Sequence, residues 1–109
     1  MNGEYILLGE DAAPFLDKNA NKAYLINGKS WVNNHAHILK SKTSNKYLLY
    51  YLNWFDYSTY VSGTTRLKLS QANMKKIPFP SLKKEIKDKI VSQIETTFNI
   101  IEKIKEQLI

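Results

Sequence analysis

The last quarter of the chain sets the strongest constraint on its fold. From Ser81 to Leu108 there is no Gly and no Pro, and Lys and Glu alternate with large apolar residues. Ile90, Ile94, Thr97, Ile101, Ile104 and Leu108 follow one another at steps of four and three, with Phe98 alongside. That spacing is the seam of a coiled coil. A helix over 81–108 would be roughly 42 Å long at ~1.5 Å per residue. The rest of the chain is too small to hold a second helix of that length. The spacing therefore predicts a partner helix for the stripe Ile90, Ile94, Phe98, Ile101, Ile104 and Leu108, from a second copy or from a related fragment; the alternative is a helix folded back over the chain's own sheet.

The chain has 109 residues, enough for one domain or part of one. Its charge is unevenly distributed. Residues 1–17 hold Glu4, Glu10, Asp11 and Asp17 with no Lys or Arg, which is the reverse of a signal peptide. Residues 18–89 hold fourteen Lys/Arg against Asp56, Glu85 and Asp88, a net +11. Trp31, Tyr47, Tyr50, Tyr51, Trp54, Tyr57 and Tyr60 are interleaved with these bases. This pattern suits a nucleic-acid surface, although a set of ordinary solvated lysines would read the same way. Cysteine is absent, which excludes disulfides, Fe–S clusters and thiolate zinc sites. No apolar run approaches the ~20 residues of a membrane span, so no membrane contact is expected and the cytoplasm is the expected compartment.

Tyr5–Leu8 reads as a buried strand ended by Gly9, and Ala23–Ile26 as a second. Asn27-Gly28 is a strong hairpin signal, so Trp31–Lys40 is expected to pair back on the second strand. In that third strand Val32, Asn34, Ala36 and Ile38 form the expected core face, opposite His35, His37 and Leu39. Ser44 can cap a short helix carrying Leu48, Leu52 and Phe55, and Ser70 a shorter one over 71–76 that stops before Pro78. Ile77-Pro78-Phe79-Pro80 is an extended connector into the long helix. The expected fold is α+β: a small mixed β-sheet with short helices over residues 1–80, then one coiled-coil-forming helix over 81–109.

Ser62-Gly63-Thr64-Thr65-Arg66 is the sharpest motif. Gly63 allows a tight turn, and three hydroxyls and one guanidinium surround it. Backbone amides, hydroxyls and Arg hold phosphate oxygens, and the planar fork of Arg66 suits phosphate or guanine O6/N7. The alternative is a hydroxyl-capped turn whose Arg covers a sheet edge. Lys68, Lys75 and Lys76 follow the loop, and Lys40, Lys42 and Lys46 follow the third strand. Either set could track phosphates. Asn33 and His35 are candidates for the same surface. His35 and His37 without Cys or a nearby acid make an incomplete zinc set, so no metal and no cofactor are expected. No Gly-x-Ser-x-Gly, Walker or dinucleotide pattern occurs, and the Asn-Pro-Pro-Tyr type motif of adenine methyltransferases is absent. No enzymatic activity is expected.

The order Ile6-Leu7-Leu8-Gly9-Glu10-Asp11-Ala12, Trp31–Leu39, Lys46–Leu52, Ser62–Ser70 and Met74–Pro80 before a long helix resembles the specificity subunit of type I restriction-modification enzymes. The similarity is to the distal part of one target recognition domain plus the spacer helix after it, and Ser62–Pro80 is its most specific stretch. The resemblance implies double-stranded DNA as a partner and no catalysis by the chain itself. It also implies long helices paired antiparallel as a ruler, and docking to methyltransferase subunits. A complete specificity subunit holds two such domains and two spacers; this chain has the length of less than one of each. After Pro80, Ser81-Leu82-Lys83-Lys84-Glu85-Ile86 replaces the proline and Leu-Glu-Glu-Gln-like stretch usual in the family. Two alternatives stay open: a truncated interaction fragment that pairs without binding DNA, and the recognition domain of a larger restriction-methylation enzyme.

Overall fold

A computed structural model describes residues 3–10, 13–17, 19–27, 36–63 and 67–108. Three strands, β1 (Glu4–Gly9), β2 (Ala23–Asn27) and β3 (Ala36–Leu39), are followed by α1 (Asn45–Trp54), α2 (Gln71–Met74) and α3 (Lys84–Gln107). The class is α+β, as expected.

The sheet order is β2-β1-β3, and both pairings are antiparallel, not mixed. The described half of the expected third strand, Ala36–Leu39, therefore pairs with β1; Gly28 and Trp31–His35, on which the hairpin expectation turns, lie outside the described residues. The physical reason is the demand of β1. Its Ile6 and Leu8 are fully buried, and a strand at the centre of a core cannot leave either edge unpaired. Leu8 stands opposite Ala23 on one side and His37 on the other, and Ile6 opposite Leu25 and Leu39. Opposed residues of antiparallel strands share a face, so these six form two layers over the core.

That register also reverses the expected face of β3. His37 is buried at 7% exposure, while Ile38 is 44% exposed. A polar ring can enter the core here because its Nε2 lies 2.7 Å from the Leu69 carbonyl oxygen. A carbonyl only accepts, so Nε2 carries the proton.

α1 closes the core from above the sheet through Leu52, which is fully buried beside Phe15, Tyr57, Leu69, Met74 and Ile77. Ser44 caps it as expected, its hydroxyl accepting from the Tyr47 amide at 3.1 Å. Asn53 on α1 ties the helix to β2. Its Oδ1 accepts from the amides of Lys22 and Ala23, and its Nδ2 donates to the Ala23 carbonyl. The phenol of buried Tyr57 donates to the Leu52 carbonyl at 2.6 Å, and burial pushes its pKa above the usual tyrosine range. Gly9 ends β1 where a side chain has no room: a Cβ there would stand 2.5 Å from that of Ala13.

α2 is capped by Ser70, which accepts from the Asn73 amide at 3.2 Å, and ends at Met74, two residues short of the expected stop. The connector before α3 stays extended through Lys83, so the long helix begins three residues later than expected. The reason lies in α1: the Tyr51 hydroxyl donates to the Pro78 carbonyl, and its ring packs 5.4 Å from that of Phe79. Among the described residues, no helix is long and apolar enough to cross a membrane.

Candidate nucleic-acid interface

The loop that carries the sharpest motif has a built base. Ser62 and Lys68 form an isolated antiparallel bridge, with N–H···O distances of 3.0 and 2.8 Å. Gly63 has φ +107°, a conformation that favours glycine and turns the chain sharply after Ser62. Each flank is anchored. On the far side of the bridge Leu69 is fully buried; its amide donates to the Glu10 carbonyl at 2.7 Å, and its own carbonyl receives His37. On the near side the Asn73 amide group donates to the Tyr60 carbonyl at 3.0 Å. Ser62, Gly63 and Lys68 are exposed, as are Lys75 and Lys76 just beyond α2. The loop thus grows from the sheet end defined by Gly9 and Ala36.

Thr64, Thr65 and Arg66, together with Asn33 and His35, lie outside the described residues. Lys40 and Lys42 are exposed but belong to another place. Lys40 follows the opposite end of β3, with its ammonium 5.4 Å from the Tyr5 ring centre. Four strand residues separate that end from the loop, roughly 13 Å at ~3.3 Å each. The structure does not bring these lysines to the Ser62–Lys68 base.

Several central bases serve the fold. Lys22 is buried, and its ammonium donates to the Asp17 carbonyl. Lys46 joins α1 to α3 by an ion pair with Glu95 at 3.0 Å. Glu95 also accepts from the Tyr50 hydroxyl at 3.1 Å. The hydrogen bonds from Lys46 and Tyr50 hold the Glu95 carboxyl below the usual carboxylate range. Burial, then the Glu95 hydrogen bond, raise the Tyr50 phenol. Lys87 of α3 reaches the Thr43 hydroxyl at 2.9 Å and lies over the Tyr47 ring.

The coiled-coil stripe is divided. Val91, beside the stripe, is buried, and Ile90 and Ile94 are half-buried. Phe98 meets Tyr50 edge-on at 5.9 Å, yet is 51% exposed; Ile101 (42%), Ile104 (51%) and Leu108 (79%) are open to solvent. The inner part of α3 therefore rests on its own α1, and beyond Phe98 the outer part is exposed among the described residues.

Two residues that carry this geometry have no anchoring role in the sequence pattern. His37 was placed on the outward face of its strand, although its neighbour His35 was considered for the loop. Asn53 carried no signal beyond being polar on an apolar helix.

The whole chain, residues 1–109, matches the family described as the type I restriction modification DNA specificity domain. A relative from Haemophilus influenzae, named as a type I restriction enzyme specificity subunit (S.HindORF215P), is 32% identical over 95 residues. The match takes in 85% of this chain and 24% of the relative, so the chain spans about a quarter of that protein's length. No solved structure gives a significant match. A match that runs along every residue, with the anchored Ser62–Lys68 loop and the long helix at its end, places this chain in the type I restriction modification DNA specificity domain family.

Proposed function

We propose that the chain is a DNA-recognition module of a type I restriction-modification system, without catalysis of its own. Residues 1–80 hold duplex DNA, and 81–109 pair with a second long helix. The observation that carries this reading is the loop base at Ser62–Lys68, anchored by buried groups on both flanks, in a chain that matches the specificity domain throughout. A rigid base suits a loop that must hold its register on a duplex, with hydroxyls, amides and Arg66 supplying phosphate and base contacts. Lys68, Lys75 and Lys76 extend the cationic surface on the same side of the sequence motif. Asn33 and His35 contact the same DNA in this reading, and Lys40 and Lys42 make a separate, outlying phosphate contact.

The partners are double-stranded DNA, a methyltransferase subunit, and a second specificity fragment or a second copy. The experiment is selection from a randomised duplex pool followed by titration against salt. Several lysine contacts predict that log affinity falls by about 0.9 per phosphate neutralised for each unit of log salt. A flat salt response, or no duplex bound at low salt, overturns the reading.

One observation favours a second reading. The chain is about a quarter of its relative's length, which suits a fragment that pairs through α3 and leaves DNA to a larger assembly. A chain that pairs but binds no duplex, alone or paired, would establish it.

A further inference from the structure

The long helix is held to the recognition domain by little apolar surface. Val91 is the one buried residue of α3 among those described, and Ile90 and Ile94 beside it are half-buried. Apolar burial is non-directional. One buried side chain therefore resists separation of α3 from α1 but leaves the angle between them soft, as a pivot does.

Polar ties stand on both sides of that pivot. Four residues before Val91, Lys87 donates to the Thr43 hydroxyl at 2.9 Å and lies 5.4 Å from the Tyr47 ring centre. Four residues after it, Glu95 accepts from Lys46 at 3.0 Å and from the Tyr50 hydroxyl at 3.1 Å. The two ties are eight residues apart, roughly 12 Å along the helix at ~1.5 Å per residue. Thr43, Lys46, Tyr47 and Tyr50 follow one another at steps of three, one and three, so they share one face of α1 and of the turn that leads into it. Hydrogen bonds are directional, and a rod tied at two such points cannot turn about a point between them. The ion pair itself contributes little to stability, with Lys46 and Glu95 side chains 55% and 38% exposed. Its contribution is to direction.

Direction matters because of where the loop stands. The Ser62–Lys68 base lies at the end of the sheet away from Lys40, roughly 13 Å off at ~3.3 Å per strand residue. Lys40 leads directly to Thr43, where α3 is tied. On a lever of that length, a swing of roughly 15° moves the loop by about 3.4 Å, the rise of one base step. We infer that Glu95, with its donors Lys46 and Tyr50, is a positioning residue: it fixes the direction in which α3 leaves the recognition domain. Given the DNA-binding and pairing reading above, it thereby fixes the separation at which two paired chains hold two half-sites. Paired DNA-binding domains read half-site spacing through their fixed mutual geometry. With the Glu95 tie cut, α3 still packs at Val91, but each domain swings and the spacing is no longer read.

The chain has no cysteine, so spin labels at Gln71→Cys on α2 and Lys103→Cys on the outer part of α3 measure this direction in the full chain. The labelled chain is diluted into unlabelled chain, so that only distances within one chain are read. With the tie intact the distance distribution should be single and narrow. Glu95→Ala should at least double its width. Lys46→Ala combined with Tyr50→Phe, which removes both donors and leaves the carboxylate, should do the same. Thermal unfolding and the helical signal should stay nearly unchanged in both. On duplexes carrying two copies of the selected sequence, the unlabelled, unmutated chain should favour one spacing about tenfold over those one base pair longer or shorter, the low end of what deforming a short duplex costs. Glu95→Ala should bind a single copy as before and lose most of that preference. A broad distribution with the tie intact, equal widths with and without it, or an unchanged spacing preference overturns the inference. A chain that binds no duplex, or never pairs, sinks the reading above and the spacing with it, while the distance widths still decide whether Glu95 fixes the helix.

Discussion

The two halves of α3 are built from the same residues and meet different surroundings. Up to Glu95 the helix lies on α1, with Val91 buried, Glu95 held by Lys46 and Tyr50, and Lys87 reaching Thr43. From Thr96 onward every described residue is exposed, although Phe98, Ile100, Ile101, Ile104 and Leu108 are as apolar as the residues before them. Helical periodicity is a property of the segment, but burial is a property of what stands opposite. α1 is ten residues long, roughly 15 Å at ~1.5 Å per residue, and it can cover only the part of α3 it reaches. The 62–68 loop shows the same division on a smaller scale, with an anchored base and an exposed Ser62-Gly63 rim.

The contrast between the halves can be broken most strongly at Val91. Val91→Asp puts an unpaired charge into the α1–α3 contact and should cost about 3 kcal/mol of folding stability. Ile104→Asp, well over three helical turns beyond Val91 and 51% exposed in the unmutated chain, should change monomer stability by less than about 0.5 kcal/mol. Urea melts at low protein concentration measure both. Equal losses would mean that the outer half is packed as well as the inner one.

The base of the loop comes next in size. His37→Leu leaves the buried Leu69 carbonyl without its donor, which should cost about 1–3 kcal/mol. It should also weaken duplex binding, because the same carbonyl fixes one flank of the loop. Thermal melting and a duplex titration on one preparation separate the two effects; a lower melting temperature with unchanged affinity would detach the loop from DNA binding.

Arg66→Ala carries the contrast to the loop's far end. Duplex binding should fall about tenfold, at the lower end of the ~1–3 kcal/mol a good bidentate contact supplies, with the melting temperature unchanged. A fall in melting temperature at constant affinity would make Arg66 a structural residue.

The smallest effect is expected at the link between α1 and α3. Glu95→Gln removes the charge that pairs with exposed Lys46, and such surface pairs contribute little. Its pH signature is more telling than its size. The folded Glu95 carboxyl is held low, so its contribution is complete above the ordinary glutamate value of about 4.3 and disappears as the pH falls through the folded value. Glu95→Gln should therefore lower stability slightly across the neutral region, flatten the acid limb, and converge on the unmutated profile once the pH is below the folded value. An identical acid limb in both proteins would show that the pair does not couple α3 to α1.

Much of this architecture was legible from local chemistry. Ser44 and Ser70 marked their helices, Pro78 and Pro80 marked the connector, and the apolar runs at Tyr5–Leu8 and Ala23–Ile26 marked β1 and β2. The errors occurred where a distant residue decided the outcome. The local pattern of Ala36–Leu39 says nothing about β1, which takes β2 on one edge and β3 on the other. The face of β3 depended on a carbonyl thirty-two residues away that admits His37 to the core. The late start of α3 depended on Tyr51 holding the connector. Asn53 and Glu95 were missed for the same reason: their partners lie on other elements. The basic middle of the chain was visible in composition, but composition could not separate Lys22 and Lys46, which serve the fold, from the exposed Lys68, Lys75 and Lys76.

The central claim is the proposed pairing of the long helix, which rests on the exposure of the outer half of α3 among the described residues. Sedimentation equilibrium of the unmutated chain and of the Ile101→Asp/Ile104→Asp variant tests this most directly. The unmutated chain should run at twice its own mass in the micromolar range, and the variant at its own mass with its domain still folded. An unmutated chain that remains monomeric and soluble at high micromolar concentration would contradict the account.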